Sequence, residues 1–318
     1  MEKKILVGGQ AVIEGVMMRV PGAYATAVRK PDGTIETQRK EYASVAERYP
    51  VLKTTVVRGV VALFESLKIG MSTLQLSADI ALEAESAGQD EKPAKGNKIW
   101  EVLTYIFAFA LAIGLFAVLP LFLTTRLLDI ERKAFAFNLV AGFWRILFFF
   151  IYLWLISFAK DVQRLFQYHG AEHKVIYTFE AGKKLTVGNT REYTTFHPRC
   201  GTSFIFIVLI VSILMFAIID SVIILALGTI TLKLRLVFHL LLMPFVAGVG
   251  YEFLKFTAAH QDRKWGMWLT KPGLWMQRIT TKPPSDDQLE VSIAALQSAF
   301  GDKLAEYEGQ TFRAEAID

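Results

Sequence analysis

The chain has 318 residues, 53% of them hydrophobic and 20% charged, with a mean hydropathy of +0.36 and a net charge of +5. These values exceed those of an ordinary soluble domain and the apolar residues fall in long runs, so the composition excludes a typical soluble enzyme and predicts a polytopic membrane protein. The positive charge is typical of cytoplasmic loops that face anionic lipid, and we expect no specific nucleic-acid partner.

Residues 1–98 are predicted to form a cytoplasmic region, with no removed signal peptide at its start. Residues 8–19 mix glycines with apolar residues, which indicates a glycine-rich edge segment or turn. Two runs, residues 25–29 and 34–40, flank the turn sequence Pro31-Asp32-Gly33 and predict a β-hairpin.

A long amphipathic helix is predicted between residues 51 and 85, where apolar residues recur at helical spacing. We expect it to lie against the membrane or against the rest of the cytoplasmic region. Residues 86–98, which contain glycine, proline and charged residues, are interpreted as a linker.

Four apolar stretches are each long enough to cross a bilayer as a helix, and the expected fold class is an α-helical polytopic membrane protein with four transmembrane helices and a small α+β cytoplasmic portion. The expected spans are residues 99–123, 135–158, 203–227 and 234–256. They divide the chain into residues 1–98 (N-terminal region), 99–158 (first two spans), 159–202 (a segment with metal-binding motifs), 203–256 (last two spans) and 257–318 (C-terminal region).

Several polar residues fall in or beside the spans. Arg145 is about 15 Å deep in the second span, so it either faces the bundle or a cavity, or only fixes packing or snorkels. Asp220 is expected either to pair with His239 or to cap a helix end. Glu252 lies near the end of the fourth span. Thr202 and Ser203 are expected to supply N-cap oxygens to the third span.

Positive charge sets the expected orientation. Lysine and arginine are abundant in the N-terminal region, between the second and third spans and after the fourth, whereas the two opposed loops are short. We therefore expect a multi-pass protein of the cell membrane whose two termini and central segment are cytoplasmic.

The central segment contains three of the five histidines and the only cysteine. Because the chain has a single cysteine, an intramolecular disulfide is excluded. It opens with His169-Gly170-Ala171-Glu172-His173 on a predicted helix that ends at Gly182, so that His169, Glu172 and His173 project from one side. The order H-x-x-E-H is that of inverted zincins, in which two imidazoles hold zinc and the carboxylate is a general base.

The segment closes with His197-Pro198-Arg199-Cys200-Gly201, which has the form of a zinc knuckle with histidine in place of the first cysteine. Residues 184–196, where threonine and tyrosine alternate with polar residues, are expected to form one or two strands leading into it. The predicted metal ligands are therefore His169, His173, His197 and Cys200, the expected ion is zinc, and Glu172 is the candidate catalytic residue.

Other interpretations stay open at this point. The histidines could be polar residues near a membrane surface, with Cys200 a small buried apolar group. If zinc binds, four protein ligands would make a closed structural site, whereas three would leave a position for water and a role for Glu172.

After the fourth span, tryptophans beside basic residues indicate a segment in the headgroup region. Residues 283–287 break this segment and precede a last amphipathic helix ending at Phe300. The residues after Gly309 are expected to be frayed.

Four segments together resemble the YqhQ family of bacterial membrane proteins: residues 8–19, 169–174, 197–204 and 272–278. The resemblance covers nearly the whole chain. It implies a domain of unknown function and the label of a predicted metal-dependent enzyme.

Three functions follow from these observations as hypotheses. The first is a membrane-bound zinc hydrolase that acts at the cytoplasmic membrane surface. The second is a non-enzymatic membrane scaffold or assembly factor, in which a closed His3Cys site stabilises the fold and the basic face binds a cytoplasmic protein or the ribosome. The third is a small transporter that uses the polar residues of the spans.

Overall fold

A computed structural model describes residues 3–5, 7–87, 98–198, 200–260, 263–307 and 309–314. The described chain is mostly helical and carries a small antiparallel sheet near its N-terminus. The helices are α1 (Val45–Arg48), α2 (Val57–Ala87), α3 (Lys98–Ile113), α4 (Leu119–Leu127), α5 (Ala134–Ile156), α6 (Lys160–Glu180), α7 (Val187–Arg191), α8 (Gly201–Leu227), α9 (Leu232–Ala259), α10 (Lys264–Thr280), α11 (Asp286–Phe300) and α12 (Leu304–Tyr307).

The sheet has four antiparallel strands in chain order, so the first and the last of them are its edges. The strands are β2 (Gly8–Val12), β3 (Gly15–Val20), β4 (Ala23–Arg29) and β5 (Ile35–Glu41). The predicted hairpin is confirmed as β4–β5, and the glycine-rich segment forms a second hairpin whose first strand is the edge strand β2. Small and β-branched side chains on the buried face let helices α6 and α11 pack closely on the sheet.

Among the described residues, four helical stretches are long and apolar enough to cross a membrane. They are Val102–Leu127, Ala134–Ile156, Phe204–Leu227 and Leu232–Thr257. The first is continuous through a π-helical turn, Gly114–Val118, between α3 and α4. These stretches agree with the predicted spans and suggest that the protein associates with a membrane.

Several sequence-based expectations need correction. Residues 184–196 form no strand: the region contains the short helix α7, which Thr186 caps through its side-chain oxygen, and loops on either side. The third span is capped by Cys200 and not by Thr202 or Ser203, because α8 begins at Gly201. The Thr186 side chain and the Cys200 sulfur accept hydrogen bonds from backbone N–H groups at the starts of α7 and α8. The alternation of residue types along the sequence did not predict these two caps.

Among the described residues after Gly309, a strand forms where fraying was expected. Strand β6 (Phe312–Ala314) pairs in parallel with β1 (Lys3–Ile5). The ring of Phe312 stacks on Phe179 of α6 at 5.2 Å, so a long-range contact that local sequence does not encode holds this end of the chain. The predicted linker lies mostly outside the described residues, which omit 88–97.

The predicted last amphipathic helix is present as α11, and the tryptophan-containing segment before it forms the helix α10. α10 packs mainly on α8, and its Met276 is buried with Leu153 and Phe166. α11 begins with a capping box formed by Ser285 and Gln288. Helix α6 lies between α5 and α10 on one side and the sheet with α11 on the other, and it carries the H-x-x-E-H motif.

Candidate metal centre

Helix α6 presents the first motif to the interior of the protein. It is separate from α5 and ends where Gly182 adopts a φ of +66°, as the sequence predicted. Tyr168, Val175 and Phe179 anchor it in the core. His173 and Glu172 are buried, and His169 is partly exposed.

The loop between α6 and α8 is tied to α6 by side chains that reach backbone carbonyls. The Lys174 ammonium donates to the carbonyls of Arg191 and Tyr193, and the Tyr177 hydroxyl donates to the carbonyl of Phe196 at 2.9 Å. These bonds hold residues 191–196 beside His173.

Cys200 lies at the N-cap of α8, where its sulfur accepts a hydrogen bond from the backbone N–H of Thr202. Burial alone would raise the pKa of the thiol, but the neighbouring His173 imidazole and the hydroxyl and N–H of Thr202 lower this pKa below its ordinary value. The partial positive charge of a helix N-terminus acts in the same direction. The structure therefore places a thiol of lowered pKa at the N-terminus of a long apolar helix.

The structure brings His169, His173 and Cys200 into one compact group. One ring nitrogen or sulfur from each residue lies within 4.8 Å of the others, and the Nε2 of His169 is 3.0 Å from the Sγ of Cys200. Typical zinc–nitrogen and zinc–sulfur bond lengths put tetrahedral ligand atoms about 3.3–3.7 Å apart. Small side-chain shifts would close the group around an ion.

The second nitrogen of each imidazole is fixed by the backbone. The Nδ1 of His169 is 2.8 Å from the carbonyl oxygen of Thr280, and the Nδ1 of His173 bonds to the carbonyl oxygen of Thr195. Because a carbonyl only accepts, both Nδ1 atoms carry the hydrogen, and in the neutral imidazole this tautomer leaves the lone pair on Nε2. This arrangement is the usual support of metal-bound histidine.

The environment of the His173 Nε2 atom is the strongest indication of a metal site. It is buried and has no hydrogen-bond partner among the described residues, although a buried polar atom normally has one. Burial also lowers the pKa of His173, which favours the neutral, ligating form. Two imidazoles and a thiol form a donor set that suits zinc better than magnesium or calcium.

Glu172 is buried next to this group, against the edge strand β2. Burial raises the pKa of its carboxyl to about 8, and the charge of Cys200 acts in the same direction, whereas His169 and the backbone N–H of Gly9 lower this pKa. A Cβ atom at Gly9 would lie 3.0 Å from the Glu172 carboxyl carbon and even closer to the Met17 carbonyl oxygen. The glycine-rich segment and the histidine motif therefore meet at this carboxyl.

His197 is buried beside the three-residue group but is not part of it. Its ring centre is 5.4 Å from that of His173 and 4.7 Å from that of Tyr177. Its Nε2 is 3.9 Å from a carboxylate oxygen of Glu180. Of the four predicted ligands, the structure thus groups three closely and places the fourth next to them.

Two residues that support the centre were missed by the sequence interpretation. Gln277 is fully buried and bonds twice to the backbone of His197: its Oε1 accepts from the N–H at 2.7 Å and its Nε2 donates to the carbonyl at 2.8 Å. Gly170 lies against the carbonyl of Lys282, and a side chain there would push away the chain that supplies the Thr280 carbonyl. Gly170 and Gln277 both lie within the segments that resemble the YqhQ family, and this resemblance is the sequence feature that could have identified them.

A second polar cluster lies inside the candidate spans. Asp220 is 3.0 Å from His239 and from Arg235 and 2.7 Å from Asn138, and all four side chains are buried. The predicted Asp220–His239 pair is confirmed, whereas the part played by Arg235 was missed. Arg145 is buried and contacts His239 at 3.4 Å, so it faces the bundle and does not snorkel.

Comparison with known proteins supports the family resemblance. The family described as "Protein of unknown function (DUF1385)" matches residues 54–302. The chain is 32% identical over 296 residues to "Uncharacterized protein YqhQ" of Bacillus subtilis (strain 168), which covers 90% of this chain and 89% of the relative. No solved structure matches. Neither description assigns an activity, and the enzyme label that the resemblance implied finds no support in them. The chain belongs to the YqhQ-like family that carries the DUF1385 domain.

Proposed function

We propose that this protein is a membrane-bound zinc-dependent hydrolase in which His169, His173 and Cys200 hold the ion. The proposal depends on the buried Nε2 of His173, which has no hydrogen-bond partner among the described residues and lies in a compact group with two other donors. Three protein ligands are typical of catalytic zinc sites, because the fourth position stays open to water or substrate.

Bound zinc would supply Lewis-acid chemistry and lower the pKa of a bound water to near 7. The side chains of this protein would do the rest. The Thr280 and Thr195 carbonyls hold the two imidazoles in the ligating tautomer. Glu172, buried beside His169 and Cys200, would accept a proton from the attacking water and return it to the leaving group.

The proposed location is the cell membrane, with all four apolar stretches crossing it and both termini in the cytoplasm. The support is the excess of lysine and arginine in the three segments that four spans would place on one side. Cys200 immediately precedes the third apolar stretch, so the centre would lie at the cytoplasmic membrane surface. Its substrate would come from the cytosol or from the inner leaflet.

Zinc analysis of purified protein tests the proposed site. We expect about one zinc per chain, and we expect the double variant His169→Ala/His173→Ala to lose it. His260→Ala, which changes a histidine outside the group, is the matched control and should keep its zinc. Full zinc content in the folded double variant would disprove the site.

A second candidate is a scaffold or assembly factor with a closed four-ligand site, because His197 is also buried and adjacent to His173. Its basic cytoplasmic face would then bind a cytoplasmic protein or the ribosome. Glu172→Gln separates the two functions, since it keeps size and removes the base. In cells, a hydrolase should lose its function with zinc retained, whereas full complementation by Glu172→Gln would favour the scaffold.

A further inference from the structure

Helix α2 has two apolar faces on opposite sides. At 100° per residue, Ile69, Thr73, Ser77 and Ile80 lie on one side, and these residues are buried against the rest of the protein. The other side carries an exposed apolar stripe. We define the α2 stripe as Val57, Phe64, Leu67, Met71, Leu74 and Leu82, all of them exposed.

The stripe is larger than scattered surface residues would be. Phe64 and Leu67 expose 57% and 54% of their surface, and the six positions repeat at the three- and four-residue spacing of one helix face over 26 residues, about 37 Å of helix. Contiguous exposed apolar surface of this kind marks an interaction site.

The start and the middle of α2 contact two candidate membrane spans. Near its start, Gly59 packs against Gly248 of α9 so closely that a Cβ atom would lie 2.9 Å from the Gly248 carbonyl oxygen. Gly248 is nine residues inside the stretch Leu232–Thr257, about 14 Å from its end. Next to this contact, Arg58 forms an ion pair with Glu252, with an Nε–Oε1 distance of 2.6 Å.

Further along α2, Gln75 meets the first apolar stretch. Its Oε1 accepts a hydrogen bond from the Tyr105 hydroxyl at 3.1 Å, and Tyr105 is three residues inside the stretch Val102–Leu127. The start of the first span and the end of the fourth must lie on the same membrane side. Between these two contacts α2 runs about 24 Å, so it lies along that side of the membrane.

We propose that the α2 stripe is embedded in the leaflet of the bilayer on that side, so that α2 is an interfacial membrane helix in addition to the four apolar stretches. Beside the Gln75–Tyr105 contact, Leu74 of the α2 stripe and Ile106 and Phe109 of α3 are all exposed and apolar, so apolar surface is present on both helices where they meet. Lys68 and Asp79 border the stripe and are exposed, as residues at the edge of an interfacial helix are.

The buried side of α2 connects this membrane surface to the candidate metal centre. The Ser77 hydroxyl accepts from the backbone N–H of Ile13 at 3.2 Å, and the Gln10 side chain packs on Gly70. Gln10 lies in strand β2 and Ile13 in the turn that follows it, and the same strand brings Gly9 to Glu172. The lipid-facing helix therefore supports the strand that contacts this carboxyl. The inference about lipid is independent of whether the centre is catalytic.

Spin-label accessibility in lipid nanodiscs tests the proposal. Cysteines are introduced singly at Phe64, Leu67 and Met71 and labelled with a nitroxide, with Asp79→Cys as the matched control on the polar edge of the same helix. The unsubstituted protein checks that buried Cys200 does not label. We expect collisions with oxygen, which concentrates in lipid, to exceed those with a water-soluble nickel complex at the three stripe positions and the reverse at position 79.

Two results would overturn the proposal. High access to the nickel complex at Leu67 and Met71, equal to that at position 79, would place the α2 stripe in water. Low access to both reagents together with spin–spin broadening at full labelling would show that a second copy of the chain covers it. Three separate positions protect the test against a single variant that fails to fold.

Discussion

Replacing Gln277 with leucine should weaken both the fold around the metal centre and the binding of zinc. Gln277 is fully buried and makes two hydrogen bonds to the backbone of His197. Leucine keeps the apolar volume but leaves the N–H and the carbonyl of His197 without these partners. An unpaired buried group costs about 1–3 kcal/mol, so the two together should cost roughly 2–6 kcal/mol of unfolding free energy.

The loss should appear in thermal unfolding followed by intrinsic tryptophan fluorescence in detergent. For a chain of 318 residues, that free energy corresponds to a fall in Tm of roughly 3–9 °C in metal-free protein. The Gln277 bonds also fix the chain that continues to Cys200, so zinc affinity should fall as well. Gln297→Leu, a change at an exposed glutamine on α11, is the matched control and should shift stability by no more than about 0.5 kcal/mol. A Gln277→Leu protein with the control's Tm and full zinc content would refute this reasoning.

Four further results are expected. In metal-free protein, the pKa of Glu172 is raised to about 8, so the folded state binds more protons than the unfolded state from about pH 4 to pH 8. The free energy of unfolding should therefore fall as the pH rises through this window. Glu172→Gln should flatten the dependence of this free energy on pH. Asp220→Ala leaves buried arginine without its carboxylate and should cost about 3–5 kcal/mol in unfolding experiments; an unchanged midpoint would contradict the cluster. Gly170→Ala should reduce zinc content, whereas Gly188→Ala, which has open space around it, should not. A membrane-impermeant thiol reagent should leave Cys200 unlabelled in intact cells and label it in inverted, metal-stripped vesicles; labelling from outside would reverse the proposed orientation.

Most of the secondary structure of the described residues could be predicted from the amino-acid sequence alone. Long apolar runs have few alternatives to a spanning helix, and the turn Pro31-Asp32-Gly33 favours a hairpin regardless of its surroundings. The H-x-x-E-H spacing placed His169, Glu172 and His173 on one side of α6 because helical geometry is local. All three of these features agree with the structure.

The hydrogen bonds between distant segments could be seen only in the folded protein. The Nδ1 atoms of His169 and His173 are fixed by carbonyls 111 and 22 residues away in the chain, and Gln277 bonds to a residue 80 positions earlier. Helix α7 packs on α6, and Cys200, whose sulfur caps α8, lies 3.0 Å from the Nε2 of His169 on α6. Such contacts form between segments whose local sequences carry no information about one another, because the packing of buried surfaces, and not backbone periodicity, brings them together.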